Sequence, residues 1–344
     1  MVRDHDEAGA EHMTLWHEQI WKERYGHVCP DEKGTLLDID IDNYDAYNPA
    51  FVAKSPESRL IAVRLEKRSS IVGTQQYHPS IAFVKQNKPF TGPWHLDEHL
   101  PRLDMLEDPF VFYAKEPNGK KITVLGGVRI RGRFTDFLPQ TEFYKGESIH
   151  SLEPISFAVL HGLKDIRLLQ LPDGRFLLCR RPRGQQFGRG RITLHVIDTL
   201  NDLVNNDVAD LPTLGVLDSG ADVNDWVGVN AVYLLTHEGK THIGLLGHIA
   251  FEDKDHIVHY AACTYTLPLE GLLKEQLTRV APHVIATRDC FHSGPRKTTS
   301  LGDVVFPGAL EHVTGDTYRL WAGLSDTRVG VLEVDKPFIY TVSI

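Results

Sequence analysis

No stretch of the sequence is apolar for the roughly 18 residues that a membrane-spanning helix needs. The opening segment, "MVRDHDEAGAEHMTLWHEQIW", has no uninterrupted apolar run, so no secretory leader is read there. Basic excess is lacking too. Lys and Arg number 37 against 46 Asp and Glu, a net charge of −9, which excludes an overall nucleic-acid footprint. Cysteines are few and scattered, at Cys29, Cys179, Cys263 and Cys290. None form a Cys-x-x-Cys pair, so zinc-ribbon and thioredoxin-like readings fail. Four free thiols in a cytoplasmic protein are expected.

Several catalytic signatures are missing as well. There is no Gly-x-Ser-x-Gly elbow and no His-Glu-x-x-His pair. "GPRKTTS" (294–300) resembles part of a phosphate loop but lacks the Gly-x-x-x-x-Gly-Lys frame, and "GRGRIT" reads as a turn. "HLDEH" places His95 and His99 four apart without a helical pattern, so it reads as a loop and no metal site is expected.

Helix signals are scarce. "TLWHEQIWKERY" (14–25) fits one amphipathic helix, "LPLEGLLKEQL" (267–277) a second short one, and "TLNDLVNN" a single turn. Strand signals fill the rest. Short apolar runs are bounded by turn residues, with Asn-Gly in "EPNGKK", Asp-Gly in "LPDGRF" and a third tight turn in "THEGKTH". Many short antiparallel strands point to a sandwich, barrel or propeller.

A repeat chooses among these. A polar residue opens or interrupts an apolar strand at "DAYNPAF" (Asn48), "LEDPFVFY" (Asp108), "LKDIRLLQL" (Asp165), "VGVNAVYLL" (Asn230) and "GDVVFPGAL" (Asp303). The steps are about 60, 57, 65 and 73 residues, each enough for four strands. The fold class expected is therefore all-β, a five-bladed β-propeller over residues 36–344, with a partly helical N-terminal extension over 1–35. A two-domain sandwich would leave the spacing a coincidence. First strands of propeller blades line a central channel, so their leading residues converge on its mouth. Glu107 and Asp108 then need not be buried in apolar surroundings, and Pro109 sits where a missing N–H does little harm.

The polar set gathered there comprises Asp45, Glu66, Asp108, Asp165, Asp303 and Asp326, with Arg64, Arg68, Arg129, Arg131, Lys164, Arg167, Arg181 and His248, and with Asn48 and Asn230. Carboxylates accept hydrogen bonds from sugar hydroxyls, guanidinium forks match phosphate oxygens, and one placed acid can protonate a glycosidic oxygen. Each acid alone is more commonly a turn-former, and each arginine a salt-bridge partner. "RIRGR" (129–133) puts three arginines on one strand face, either a solvated edge or an anion site. Trp94, Trp226 and Trp321 are stacking platforms for sugars or, more commonly, core.

In order along residues 40 to 338, "DAYNPAF" with "VRLEKRSS", "EDPFVFY…LGGVRI", "LKDIRLLQLPDGRF…RRPRG…GRGRI", "WVGVNAVYLL…LLGHIA", "DVVFPGAL" and "YRLWAGLSDTRVG" resemble a known family. It is the five-bladed propeller family of β-1,2-mannosyltransferase/phosphorylases known from Leishmania, with fungal and bacterial relatives. That family is distantly similar to the β-mannoside phosphorylases of glycoside hydrolase family 130, which share a Glu-Asp-Pro motif. The resemblance implies an inverting enzyme that cleaves β-1,2-mannosides with phosphate to mannose 1-phosphate, or extends β-1,2-mannooligosaccharides in reverse. It implies no metal and no cofactor beyond phosphate or mannose 1-phosphate as substrate. Asp108 would be the general acid in phosphorolysis and base in synthesis, the proton passing through a sugar hydroxyl. Arg129, Lys164, Arg181 and His248 would contact phosphate. Asn48, Arg64, Glu66, Glu107, Asp165, Asn230, Asp303 and Asp326 would hold mannose hydroxyls. The segment "IVGTQQYHP" departs from the family pattern and reshapes a loop on the acceptor side. Two other readings stand beside this one. A hydrolase using water would need a second carboxylate opposite Asp108, with Asp165 and Asp303 as candidates. A sugar-binding propeller would need no catalytic group at all.

Overall fold

The computed structural model describes residues 18–70, 77–88, 90–129, 140–155, 164–182, 189–205, 214–217, 225–273 and 280–340. The chain is mostly β, with few and short helices: α1 over residues 18–25, α2 (Asp202–Asn205) and α3 (Leu269–Leu273). All three fall within segments that the sequence marks as helical.

The strands form successive antiparallel meanders. In the first, β2 (Tyr44–Lys54), β3 (Ser58–Lys67) and β4 (Ser80–Asn87) pair in order, with β5 (His95–Leu96) and β6 (Leu103–Asp104) on the outer edge. The second is β7 (Leu106–Lys115), β8 (Lys121–Arg129), β9 (Gln140–Gly146) and β10 (Glu153–Pro154). The third is β11 (Lys164–Gln170), β12 (Phe176–Arg181), β13 (Thr193–Ile197) and β14 (Gly215–Val216). The fourth is β15 (Trp226–His237), β16 (Lys240–Glu252), β17 (Val258–Pro268) and β18 (His283–Ala286). In the last, β19 (Asp303–Thr314), β20 (Thr317–Leu324) and β21 (Arg328–Asp335) are completed by β1 (Thr35–Leu36) from the N-terminal end. A short parallel bridge, His259 and Tyr260 against Asp303 and Val304, joins the last two meanders into one sheet.

Tight turns drive the pairing. Gly119 and Gly174 take φ of +84° and +94° at the Asn-Gly and Asp-Gly hairpins. Glu238 and Gly239, at +49° and +74°, form a two-residue loop between β15 and β16 of the kind that matches strand twist.

Each apolar core lies between two meanders. Ala62 and Phe83 pack with Leu106 and Leu125; Phe110 and Phe143 with Ile166 and Leu178; Leu177 and Leu194 with Val229 and Leu245. Leu246 and Ile285 pack with Val305 and Leu320. The series returns on itself, because Ile61 and Val63 of the first meander pack with Ala309 and Trp321 of the last. Trp94, Trp321 and Trp226 are all buried, so these tryptophans serve the interior rather than sugar stacking. The N-terminal extension is also part of this core: Trp21 of α1 is 0% exposed and donates its indole N–H to Asp303 at 2.9 Å.

One expectation is corrected here. Cys29 and Cys290 form a disulfide, and only Cys179 and Cys263, both buried, are free. The bridge joins positions 261 apart in sequence, a pairing that scattered spacing could not announce.

The first strand of every meander carries a bulge. Pairing shifts between Tyr47 and Ala50, Glu107 and Phe110, Lys164 and Arg167, Val229 and Ala231, and Pro307 and Ala309. The extra residues include Asn48, Asp108, Asp165 and Asn230, as the repeat implies. In the last meander the equivalent position is Gly308, not Asp303. A Cβ on Gly308 would overlap the carbonyl oxygen of Pro49 in the first meander. Gly308→Ala should therefore destabilise the protein by about 1–3 kcal/mol, since backbone must move to admit a methyl group. Gly92→Ala, which meets open space, should be near neutral. Thermal unfolding of the two variants beside wild type checks this contrast.

Candidate active site

The bulges explain the Glu-Asp-Pro motif. In a regular strand Glu107 and Asp108 would face opposite sides. Asp108 instead adopts φ +49°, in the left-handed region that Asp and Asn tolerate. Both carboxylates thereby turn to the same guanidinium. Glu107 Oε1 lies 3.0 Å from Arg64 Nη2, and Asp108 Oδ1 lies 3.2 Å from Nη1. Pro109 follows, and its missing N–H removes a donor that the bulge would leave unpaired. Asn48 and Asp165 repeat the device with φ of +48° and +54°. Asn48 is followed by Pro49, and its amide Nδ2 donates to Asp108 Oδ1 at 2.7 Å.

Arg64 is the centre of the first half of the site. Besides Glu107 and Asp108 it contacts Glu66 at 3.2 Å and the Tyr77 hydroxyl, and its guanidinium lies over the Tyr47 ring. Tyr77 in turn donates to Glu107. Burial opposes the Arg64 charge, but Glu107 and the other anionic groups around it hold its pKa well above the ordinary value. Glu66 is likewise held below the usual carboxylate range. Burial would raise it, but Arg64, the hydroxyls of Tyr47 and Ser70, and Lys297 at 3.0 Å outweigh that. Lys297 also meets Asp45 at 3.2 Å.

The second half is cationic. Arg181 Nε lies 2.8 Å from Asp165 Oδ2, and its Nη1 faces His248 Nε2 at 3.5 Å. His248 Nδ1 meets Asn230 Oδ1 at 2.8 Å, which assigns the ring proton to Nδ1 and the lone pair to Nε2. Burial pushes the His248 pKa down to about 3, so the ring is neutral at working pH. Arg167, buried, donates to the Asn230 and Ile166 carbonyls at 2.6 and 2.8 Å and stacks on Phe110. It makes no ion pair among the described residues, and burial lowers its pKa. Arg167 and Arg181 thus each present an Nη2 with no hydrogen-bond partner among the described residues. Asp108 pairs directly with Arg64, and its charge also acts on Arg167 and His248, so it lies near both halves. Its Oδ1 is engaged by Asn48 and Arg64. Its Oδ2 has no hydrogen bond among the described residues, and its side chain is 19% exposed against 8% for Arg64.

Room for this cluster is made by absent side chains. A Cβ at Gly323 would strike Asn48, and one at Gly228 would strike Asp165 and His248.

The structure gathers Asn48, Arg64, Glu66, Glu107, Asp108, Asp165, Arg181, Asn230, His248 and Asp326. Three expected members do not join as described residues. Asp303 is fully buried elsewhere, accepting from Trp21 and facing His259 Nδ1 at 2.7 Å. Arg129 is engaged by Glu142 in a two-pronged pair at 2.5 and 2.6 Å, with Tyr144 and the Asp104 carbonyl taking two more of its donors. This corrects the expectation that it faces phosphate. For Lys164 the backbone pairs with Arg181, and its side chain lies outside the described residues, as does Arg131. Tyr47, Tyr77 and Lys297 were missed. Lys297 sits in "GPRKTTS", the fragment that looked like half of a phosphate loop. Arg167 belonged to the mouth set but had been given no ligand.

Asp326 sits in the β20–β21 turn at φ +54°, partly exposed. Burial pushes its carboxyl up to about 6. Arg64 pulls the other way, while Asp108 and Glu66 add to the rise. A carboxyl raised in the folded state contributes stability only while it keeps its proton. Stability therefore falls as pH rises from about 4 through about 6. Asp326→Asn should stabilise the protein at pH 7.5 by on the order of 1 kcal/mol, and much less at pH 4.5. Thermal midpoints at the two pH values check the sign.

No curated protein matches. Among solved structures, a mannose phosphorylase from Leishmania mexicana in complex with phosphate ion superposes at TM-score 0.74 with 24% identity, over 96% of this chain and 95% of that one. A GDP-Man-dependent mannosyltransferase from Leishmania mexicana gives 0.72 and 23%, over 95% and 96%. The β-1,2-mannobiose phosphorylase of Listeria innocua gives 0.59 and 14%, over 86% and 92%. These likenesses establish a shared fold, and the resemblance read from the motifs is borne out. The family model described as protein of unknown function (DUF1861) matches residues 30–340, and the chain belongs to that family.

Proposed function

We propose that this chain is an inverting phosphorylase of β-1,2-mannosides, able to run in reverse as a mannosyltransferase from mannose 1-phosphate. We read the five meanders, whose cores follow one another in a closed series, as blades of a five-bladed propeller with the cluster at its central mouth. The observation that carries the functional reading is the placement of Asp108. Its carboxylate is partly exposed, with Oδ2 free of hydrogen bonds among the described residues, beside the Arg64 network and near Arg167.

On this reading a mannoside lies over Asp108. Asn48, Glu66, Asp165, Asn230 and Asp326 would fix its hydroxyls, or fix the groups that do. Phosphate sits on the Arg167 and Arg181 Nη2 donors, where two guanidiniums offset its charge. A phosphate oxygen attacks the anomeric carbon as the glycosidic bond breaks, inverting its configuration. The Asp108 proton reaches the leaving oxygen, directly or through a sugar hydroxyl. In synthesis Asp108 takes that proton back from the acceptor hydroxyl. His248 is neutral and buried, so its part is to orient Arg181 and Asn230. The activities of the Leishmania and Listeria enzymes support this class of reaction. The work would proceed with soluble sugars and phosphate; no helix among the described residues is long and apolar enough to cross a membrane.

One observation favours hydrolysis as a second reading. Water needs a free base. Asp165 is taken by Arg181 and Asp303 lies elsewhere, but Asp326 is partly exposed and close enough to Asp108 to feel its charge.

The test is phosphate release from mannose 1-phosphate with mannose or β-1,2-mannobiose as acceptor. Wild type should release phosphate and form a β-1,2-linked product, and Asp108→Asn should be slower by about 10²–10⁴-fold. Arg181→Met should chiefly raise KM for phosphate in the phosphorolysis direction. Mannoside cleavage in phosphate-free buffer that disappears in Asp326→Asn would move the assignment to the hydrolase. Unchanged rates in Asp108→Asn would remove the acid/base role altogether.

A further inference from the structure

The N-terminal segment between α1 and β1 brings His27 and Cys29 against Cys290, and the three ligand-type atoms lie within 4.8 Å of one another. In the structure the two sulfurs are bonded. His27 Nδ1 meets the Val284 carbonyl at 3.1 Å, so the ring proton is on Nδ1. The Nε2 lone pair then points at Cys290 Sγ at 3.3 Å and Cys29 Sγ at 3.9 Å, and a disulfide has no hydrogen to give it. A histidine whose Nδ1–H is held by a carbonyl, with Nε2 aimed at paired sulfurs, is built as metal-binding histidines are built. Metal–nitrogen and metal–sulfur bonds of about 2.0 and 2.3 Å in a tetrahedral site place N and S roughly 3.5 Å apart. The observed separations bracket that value. The Thr287 backbone N–H points to Cys290 Sγ at 3.3 Å and would favour its thiolate. His27 and Cys29 are partly exposed, which leaves a way in for an ion.

We propose that His27, Cys29 and Cys290 form a redox-gated site for one thiophilic d10 cation such as Zn²⁺, held when the thiols are reduced and released when the disulfide closes. Water completes the fourth position. In the release step, the two thiolates give up two electrons as the S–S bond forms. A low-molecular-weight disulfide accepts those electrons and, with two protons, leaves as two thiols. The cation departs without changing oxidation state. The consequence is local. The Gly34 N–H donates to the Cys290 carbonyl and the His292 N–H to the Gly34 carbonyl, so the site sits where the N-terminal segment, whose β1 pairs with β21, is fastened to the last meander. In either state that fastening is cross-linked, by sulfur or by metal. The free thiols cannot compete, because Cys179 and Cys263 are buried, with pKa pushed up to about 12.

The test uses the full chain, reduced with a phosphine and loaded with zinc, against a chromogenic chelator. The reduced wild type should retain one zinc per chain. Oxidised glutathione should release it in step with the loss of two titratable thiols. His27→Ala and Cys29→Ser, both on the partly exposed segment, should each hold zinc at least tenfold more weakly. Cys290→Ser should do the same, with far-UV circular dichroism confirming that each variant is folded. Reduced wild type that surrenders zinc as readily as Cys29→Ser would overturn the proposal. So would retention that His27→Ala leaves unchanged, since the ion would then sit on other histidines.

Discussion

The site depends on one buried guanidinium. Arg64 sits among Glu66, Glu107 and Asp108, and an ion that deep is tolerated only when its partners are exact in number and position. Removing Arg64 would leave three acids facing one another. The strand carrying Arg64 is therefore tied to two neighbours, β2 through Tyr47 and β7 through Glu107 and Asp108. Lys297, from the segment before β19, closes the same network through Glu66 and Asp45. The charges that stabilise the cluster are also what hold adjoining meanders in fixed relation.

A bulge in each first strand makes that network possible. Regular pleating alternates side chains and would waste half of the polar residues. One extra residue, in the left-handed region at Asn48, Asp108 and Asp165, turns consecutive side chains to the same side. Two acids and a proline at the mouth of a core strand are thus one device. The acids bind Arg64, and the proline spares the bulge an unpaired donor.

Much of this was legible in the sequence, because repetition is visible in a single chain. The spacing of Asn48, Asp108, Asp165 and Asn230 marked four of the five bulges, and hairpin dipeptides marked the turns. The fifth was misread for a physical reason. "GDVVFPGAL" offers an acid at Asp303, yet the last bulge falls on Gly308, where the Pro49 carbonyl leaves no space for a side chain. Polarity was the signal followed, and close approach leaves no polar trace. Arg129 failed for another reason: its partner Glu142 lies across a hairpin whose register no composition rule supplies. The Cys29–Cys290 bridge was invisible in the same way. Arg167 shows the converse. Its position alternates correctly in β11, but only the structure shows it buried without a carboxylate partner.

The division of charge bears on the choice between phosphate and water. Around Arg64 the acids outnumber the bases, and a neutral sugar with many hydroxyls suits acceptors of that kind. Across Asp108 the balance shifts: Arg181 pairs with Asp165, Arg167 has no ion-pair partner among the described residues, and His248 stays uncharged. Burying Arg167 costs stability that the nearby charges of Asp165 and Asp108 do not fully offset, since its pKa stays lowered. An anionic co-substrate would. Water would not, and an arrangement selected for hydrolysis would more economically place a free carboxylate where Arg167 and Arg181 stand. On the reading proposed here, the incompletely offset Arg167 is the imprint of the nucleophile, and Asp108 lies near the charge that attacks and the oxygen that leaves.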